Sequence, residues 1–251
     1  MKHMLLLVLV AFSTQLLAES AIAAGTILPV ELRSSLSSKK SKVGQVVTAR
    51  IMQDVPLPGG SQIRAGAKVI GHVVGVSQAN NTSGAKLTLR FDTVVVSKRR
   101  IPITTNLRAL ASSMAVWEAQ LPKTGPDRGT PEDAWNTVQV GGDEVVYRGG
   151  GPVVHGMRIV GQPTNDSGVL ARVASNPESM CRGQLEGNDR LQALWVFSSD
   201  ACGTYDLPHV TITHAGRSNP VGEIVLASDK DELNIRAGSG MLLRVHSAAK
   251  K

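Results

Sequence analysis

From residue 25 to residue 105 the hydrophobic positions mostly recur at every second place. Val47, Ala49 and Ile51 alternate with other residues, and so do Leu87, Leu89 and Phe91. A period of two puts such residues on one face of a strand. The pattern predicts strands over 25–32, 43–55, 68–76, 86–96 and 101–105. Turns separate them: a Ser/Lys-rich segment over 34–41, Pro/Gly at 56–60, a polar stretch at 80–84, and a basic hairpin tip at 97–100. Gly71 and Gly75 fall inside the third strand, where glycines mark bends or bulges. Short, evenly spaced strands of this kind predict a sandwich or a small barrel.

The period then changes. Leu107, Leu110, Ala111, Met114, Trp117 and Leu121 recur at three to four residues, which predicts one amphipathic helix over 107–121, ended by Pro122. A Pro/Gly linker over 123–129 leads to a helix start at 130–135. There Thr130 can cap, Pro131 suits the first position, and Glu132 and Asp133 suit the positive end of the dipole. Residues 136–220 read as a second, irregular β region, with strands over 144–148, 153–160, 168–173, 191–197 and 210–214. Strands over 223–226 and 233–245 return to the style of the first region. An internal echo supports that return: Ile63-Arg64-Ala65-Gly66 and Ile235-Arg236-Ala237-Gly238 each precede a strand, as does Ala24-Gly25-Thr26. The expected fold is mainly β. A small β-barrel or sandwich is built from 24–106 and 221–251, with an inserted α+β region over 107–220 that carries one disulfide.

Residues 1–23 stand apart. A short start with Lys2, an apolar run from Met4 to Phe12 and a small-residue Ala21-Ile22-Ala23 end have the layout of a secretory signal peptide. The run is too short to span a bilayer core, which takes about 20 residues. No second apolar run of spanning length follows, so the mature chain has no expected transmembrane segment. No Cys lies near the cleavage region, which argues against a lipid anchor. The expected compartment is beyond the inner membrane, periplasmic or secreted. There, Cys181 and Cys202, the 2 cysteines of the chain, read as a disulfide.

Composition adds a partner class. The formal net charge is +7, which favours anionic envelope components such as lipopolysaccharide phosphates, anionic head groups or cell-wall polymers. Aromatic residues are only 3 %, too few for base-stacking platforms, so no specific nucleic-acid binding is expected. The candidate contacts for a polyanion are Lys39, Lys40 and Lys42 in one turn and Lys98, Arg99 and Arg100 at the hairpin tip. If both tips emerge at one end of a barrel, they form a single cationic rim.

Catalytic signatures are weak. There is no G-x-S-x-G elbow and no HExxH, and Gly149-Gly150-Gly151 lacks the Gly-Lys-Ser/Thr of a phosphate loop. Ser239, between two glycines, reads as a turn. Glu132-Asp133, Asp143-Glu144 and Asp231-Glu232 read as turn or helix-end charges. No cofactor or metal is expected. An alternative class, a secreted hydrolase, needs His209 and His214 to cluster in a cleft with Asp200 or Asp206. His72, His155 and His246 are isolated in sequence and read as structural.

The stretch from Ala24-Gly25-Thr26-Ile27-Leu28-Pro29-Val30 through Ile63-Arg64-Ala65-Gly66-Ala67-Lys68-Val69-Ile70-Gly71 resembles the soluble β-barrel of type IV secretion and conjugation channel-core proteins. The resemblance covers about residues 24–105. It implies a barrel and secretion-system or other envelope proteins as partners. This chain departs from that family in its leader, which stands where a retained membrane helix and proline-rich linker would be, and in its Cys-bridged insertion. A second stretch, Val196 to Gly203 and His214 to Pro220, resembles a segment of exported bacterial proteins and implies no activity. Together these readings predict a non-enzymatic periplasmic or cell-envelope binding or assembly module.

Overall fold

The computed structural model describes residues 22–80, 83–121, 136–147, 151–165, 168–175, 181, 190–215, 220–229 and 232–246. The first third of the chain forms β1 (Ile27–Leu32), β2 (Leu36–Ser37), β3 (Val46–Ile51), β4 (Val55–Pro56), β5 (Gln62–Ile63), β6 (Lys68–Ser77) and β7 (Lys86–Val96). Next come β8 (Arg99–Pro102), β9 (Thr104–Ala111), α1 (Ser113–Gln120), β10 (Asn136–Val138), β11 (Glu144–Tyr147), β12 (Val153–His155) and β13 (Arg158–Pro163). The chain continues with β14 (Val169–Ala171), β15 (Gln192–Ala193), β16 (Gly203–Tyr205), β17 (Val210–Ile212), β18 (Ile224–Ser228), β19 (Asn234–Ile235) and β20 (Gly240–His246).

The expected mainly β class is the observed one. A large sheet runs β16-β9-β20-β1-β3-β6-β7-β18-β17, with β8 folded back on β7. The final strands join the first ones, as the sequence echo implies: β20 lies between β1 and β9, and β18 pairs with β7. The sheet curls without closing. No ladder joins its end strands, β16 and β17, although the Thr204 hydroxyl donates to the Val210 carbonyl across the gap at 2.8 Å. A sandwich-like curled sheet thus stands where a barrel was the alternative.

Strand burial explains the layering. The inner face of the curled sheet holds one apolar core, with Leu28, Val30, Val47, Ile51, Leu87, Leu89, Phe91, Leu226 and Leu243 among its members. A second sheet, the meander β10 to β15, packs on the outside of β1, β9 and β20. Ile27, Ala109, Ala111 and Leu242 meet Val146, Val153, Val169, Leu194 and Phe197 there. Strands covered on both faces read as continuous apolar runs rather than alternations. That is why β9 misled the sequence reading. Residues 104–111 are a strand buried between β20 and β16, and the helix begins only at Ser113, capped by the Ser112 hydroxyl accepting from Ala115 N–H at 3.0 Å. Within α1 the buried residues are Val116 and Ala119, whereas Met114 and Trp117 of the expected apolar stripe are exposed. The run at 191–197 is likewise broken: Gln192 and Ala193 form β15, Phe197 makes an isolated bridge to Val140, and between them Trp195 takes a left-handed conformation with φ 52°.

Pro29 sits inside β1, a position that normally argues against a strand. Its nitrogen faces the same edge as Ile27 N–H, since successive amides alternate sides. That edge lies beyond the β3 pairing, which starts at Val30, and Ile27 N–H is met there by the Gln192 side chain at 3.0 Å.

The echoed Ile-Arg-Ala-Gly segments form the same turn. Gly66 and Gly238 both have φ 88°, the left-handed conformation that a type II turn needs at its third residue. Gly66 N–H donates to the Ile51 carbonyl at 2.7 Å, and Ala67 N–H to the Arg64 carbonyl at 3.2 Å. Gly238 N–H donates to the Leu32 carbonyl at 2.8 Å, and Ser239 N–H to the Arg236 carbonyl at 3.2 Å. Gly25 and Gly44 close onto Val245 and Val73 in the same way. The β1–β20 and β3–β6 pairs are therefore locked at both ends by one repeated device.

The expected signal peptide lies almost wholly outside the described residues, as does the helix start at 130–135. Ile22 and Ala23, the last residues of the expected leader, are described. Ile22 packs into the inner core and the Ala23 carbonyl accepts from Thr26 N–H at 3.2 Å, so a cut after Ala23 removes both. Among the described residues no helix is long and apolar enough to cross a membrane.

Candidate functional site

Antiparallel register brings together cations that are far apart in sequence. Arg50 on β3 lies opposite Lys68 on β6, Lys68 opposite Val95 on β7, and Val95 opposite Arg100 on β8. Directly opposed residues share a face. Ala49, Val69 and Val94 point into the core, so Arg50, Lys68 and Arg100 point outward, and all three are exposed. Lys98 sits beside this row in the β7–β8 turn; Arg99, opposite Val96, is exposed at the same end but takes the opposite strand phase from Arg100. Ser97 and Lys98 have φ 47° and 70°, which is the two-residue hairpin turn that twisted strands favour but that Asn-Gly normally fills.

The acids at this end are already engaged. Glu31 accepts from Arg33 at 2.8 Å and lies 3.9 Å from Arg50. Asp54 accepts Ala65 N–H at 2.8 Å and the Arg64 guanidinium at 2.7 Å, and these bonds, the backbone one first, hold its carboxyl below the usual range. Lys68, Lys98, Arg99 and Arg100 have no carboxylate partner among the described residues.

The turn carrying Lys39, Lys40 and Lys42 lies elsewhere. It precedes Val46, which pairs with His72 at the other end of the β3–β6 ladder. Val46 and Arg50 are separated by about 13 Å of strand. The expected single cationic rim is therefore corrected: the two basic clusters sit at opposite ends of the sheet. Lys39 pairs with Glu232 at 3.4 Å, and Glu232 also accepts the Ser37 hydroxyl at 2.9 Å. The Ser37 bond, with Lys39 and Lys40 nearby, holds the Glu232 carboxyl below its usual range.

Three residues of the hydrolase reading are engaged with different neighbours. His209 pairs with Asp229 at 3.1 Å, Asp206 accepts from the Ser112 hydroxyl, and His214 lies beside Leu107 and Glu223. His72 pairs with Asp92 at 2.8 Å on the outer face of the sheet. Among the described residues no group of three His, Cys, Asp or Glu is placed to hold a metal ion.

The Cys181–Cys202 disulfide is formed, with Cα atoms 5.4 Å apart. Its surroundings are structural. Arg108, 1 % exposed, donates to the Ala201 carbonyl and to the Ala174 carbonyl, each at 2.9 Å. Burial, with the Arg244 charge second, lowers its guanidinium to about 10. Glu144 is buried beneath Ser199, whose N–H and hydroxyl both donate to it, and burial raises its carboxyl above the usual range.

Sequence reasoning found the tip of the cationic row and missed Arg50 and Lys68. Each occupies the outward phase of its strand, but their adjacency depends on register, which a single strand does not display. Comparison with the models of known protein families and with curated proteins gives no match to this chain.

Proposed function

We propose that this chain is an exported, non-enzymatic binding module of the cell envelope, and that it holds an anionic envelope polymer along the row Arg50, Lys68 and Arg100 and the adjoining turn cations Lys98 and Arg99. The observation that carries this reading is the row itself: Arg50, Lys68 and Arg100 face outward across the adjoining strands β3, β6, β7 and β8, with Lys98 and Arg99 exposed at the turn beside them and the nearby acids already engaged. A linear polymer with regularly spaced anions can contact several of them at once, and neutralising its charges releases the counterions held around it, which makes binding salt-dependent. The strained Ser97-Lys98 turn is a second support. Two non-glycine residues in the left-handed region cost stability, and such strain persists where a side chain is needed in place. The leader-like start and the disulfide support export. Envelope or secretion-system proteins are the partners such a module would serve.

The test is binding to a soluble anionic polysaccharide as a function of salt. Affinity should fall steeply between low and physiological ionic strength, and fall again when Lys98, Arg99 and Arg100 are changed to Gln. Binding indifferent to both would overturn the reading.

A further inference from the structure

At the opposite end of the sheet from the cationic row, β2 and β19 form a two-stranded floor, with Asn234 opposite Ser37 and Ile235 opposite Leu36. An open cleft of about 480 Å³ lies over it, a size suited to one small ligand. Its lining is polar apart from Leu36 and Ala237.

The decisive property is the balance of donors and acceptors. Lys40 and Arg236 line the cleft; neither side chain makes a hydrogen bond or a close ion pair among the described residues, and Lys40 acts on Glu232 only by its charge. The Ser35 hydroxyl accepts Ala237 N–H at 3.0 Å, and the Ser41 hydroxyl accepts Ser37 N–H at 3.0 Å. Each of these hydroxyls therefore keeps its own proton to donate. The Gln45 carbonyl oxygen accepts Lys42 N–H at 3.2 Å, which leaves its amide N–H groups to donate. The one acidic side chain in the lining, Glu232, is engaged by Ser37 and Lys39. The cleft thus offers two cations and several neutral donors, while its acid is occupied. Oxyanions are the ligands that such a set recognises.

We propose that this cleft binds a small oxyanion, a phosphate or carboxylate, carried on a hydroxyl-rich body such as a sugar. The cleft is larger than a bare oxyanion needs, and its remaining neutral donors on Ser35, Ser41 and Gln45 suit a carrier that bears hydroxyls. The polymer row is a separate surface, so either proposal can fail without the other.

The experiment is calorimetric titration of the disulfide-intact protein with glucose 6-phosphate, glucuronate, glucose and inorganic phosphate. Glucose 6-phosphate or glucuronate should bind, glucose should not, and inorganic phosphate should bind at least tenfold more weakly. The variant Lys40→Gln/Arg236→Gln should lose at least tenfold in affinity, while Lys98→Gln should not. Both changed residues are exposed, and an unchanged unfolding midpoint confirms that the variant folds; Lys40→Gln alone gives a second, milder reading. Equal binding of glucose and its phosphate, equal binding of inorganic phosphate, retained affinity in both Lys40 variants, or no binding at millimolar ligand would each overturn the proposal.

Discussion

Lys68 stands directly opposite Arg50 in the antiparallel β3–β6 ladder, two cations on one exposed face. Like charges in that relation destabilise a sheet by a few tenths to about 1 kcal/mol. Glu31, which lies opposite Arg50 on the other side and 3.9 Å from it, offsets part of the repulsion. Lys68→Gln should therefore raise stability by about 0.3 kcal/mol in denaturant unfolding while weakening polymer binding. A loss of stability would mean that the pair is not repulsive and that the row stores no cost.

The repeated turn makes a conformational prediction. A Cβ at Gly66 meets nothing within 4 Å, so only the backbone resists it. Gly66→Ala should cost about 1 kcal/mol from the left-handed conformation alone. Gly71→Ala should cost more, because its Cβ falls 2.3 Å from the Arg90 carbonyl oxygen. Chemical denaturation of the two variants side by side checks the order.

Gln53 is fully buried and ties the two sheets together. Its carbonyl oxygen accepts Val169 N–H at 3.1 Å and Trp195 N–H at 2.7 Å, and its amide donates to the Val169 carbonyl at 3.0 Å. Gln53→Ala strands the Val169 and Trp195 N–H groups, at about 1 to 3 kcal/mol each, whereas the Val169 carbonyl keeps Leu194 N–H at 2.9 Å. The expected loss is at least about 2 kcal/mol, with early proteolysis in the meander β10 to β15 as its signature.

Glu144 predicts a pH dependence. Its carboxyl is raised in the folded protein, so the folded state holds that proton more tightly than the unfolded chain. The stabilising contribution is full below the unfolded value of about 4.3 and is lost as pH rises through the folded value. Glu144→Gln cannot ionise. The stability of the natural protein relative to this variant should fall as pH rises from 4 to 7, measured by thermal unfolding across that range. A flat difference would show that Ser199 compensates the buried charge in full.

Much of the fold was legible in the sequence, for reasons that also mark where legibility ended. β3, β6 and β7 are half-exposed, so Val47, Ala49 and Ile51 alternate visibly with outward residues. The Ile-Arg-Ala-Gly echo could be read because two turns require the same left-handed glycine. β9 could not be read, because burial on both faces erases the alternation and leaves a run that also fits a helix. The candidate site was half legible. Lys98, Arg99 and Arg100 stand together in the chain, whereas Arg50 and Lys68 join them only through register. Lys39, Lys40 and Lys42 are separated from them by that same register.

The proposed binding of an anionic polymer rests on the charges at the β7–β8 tip. The most direct measurement compares the unchanged protein with Lys98→Gln/Arg99→Gln/Arg100→Gln for affinity to a soluble anionic polysaccharide across a salt series. The triple variant should bind at least tenfold more weakly at low salt and with a shallower salt dependence, at an unchanged unfolding midpoint. Equal affinity and equal salt dependence in the two proteins would contradict it.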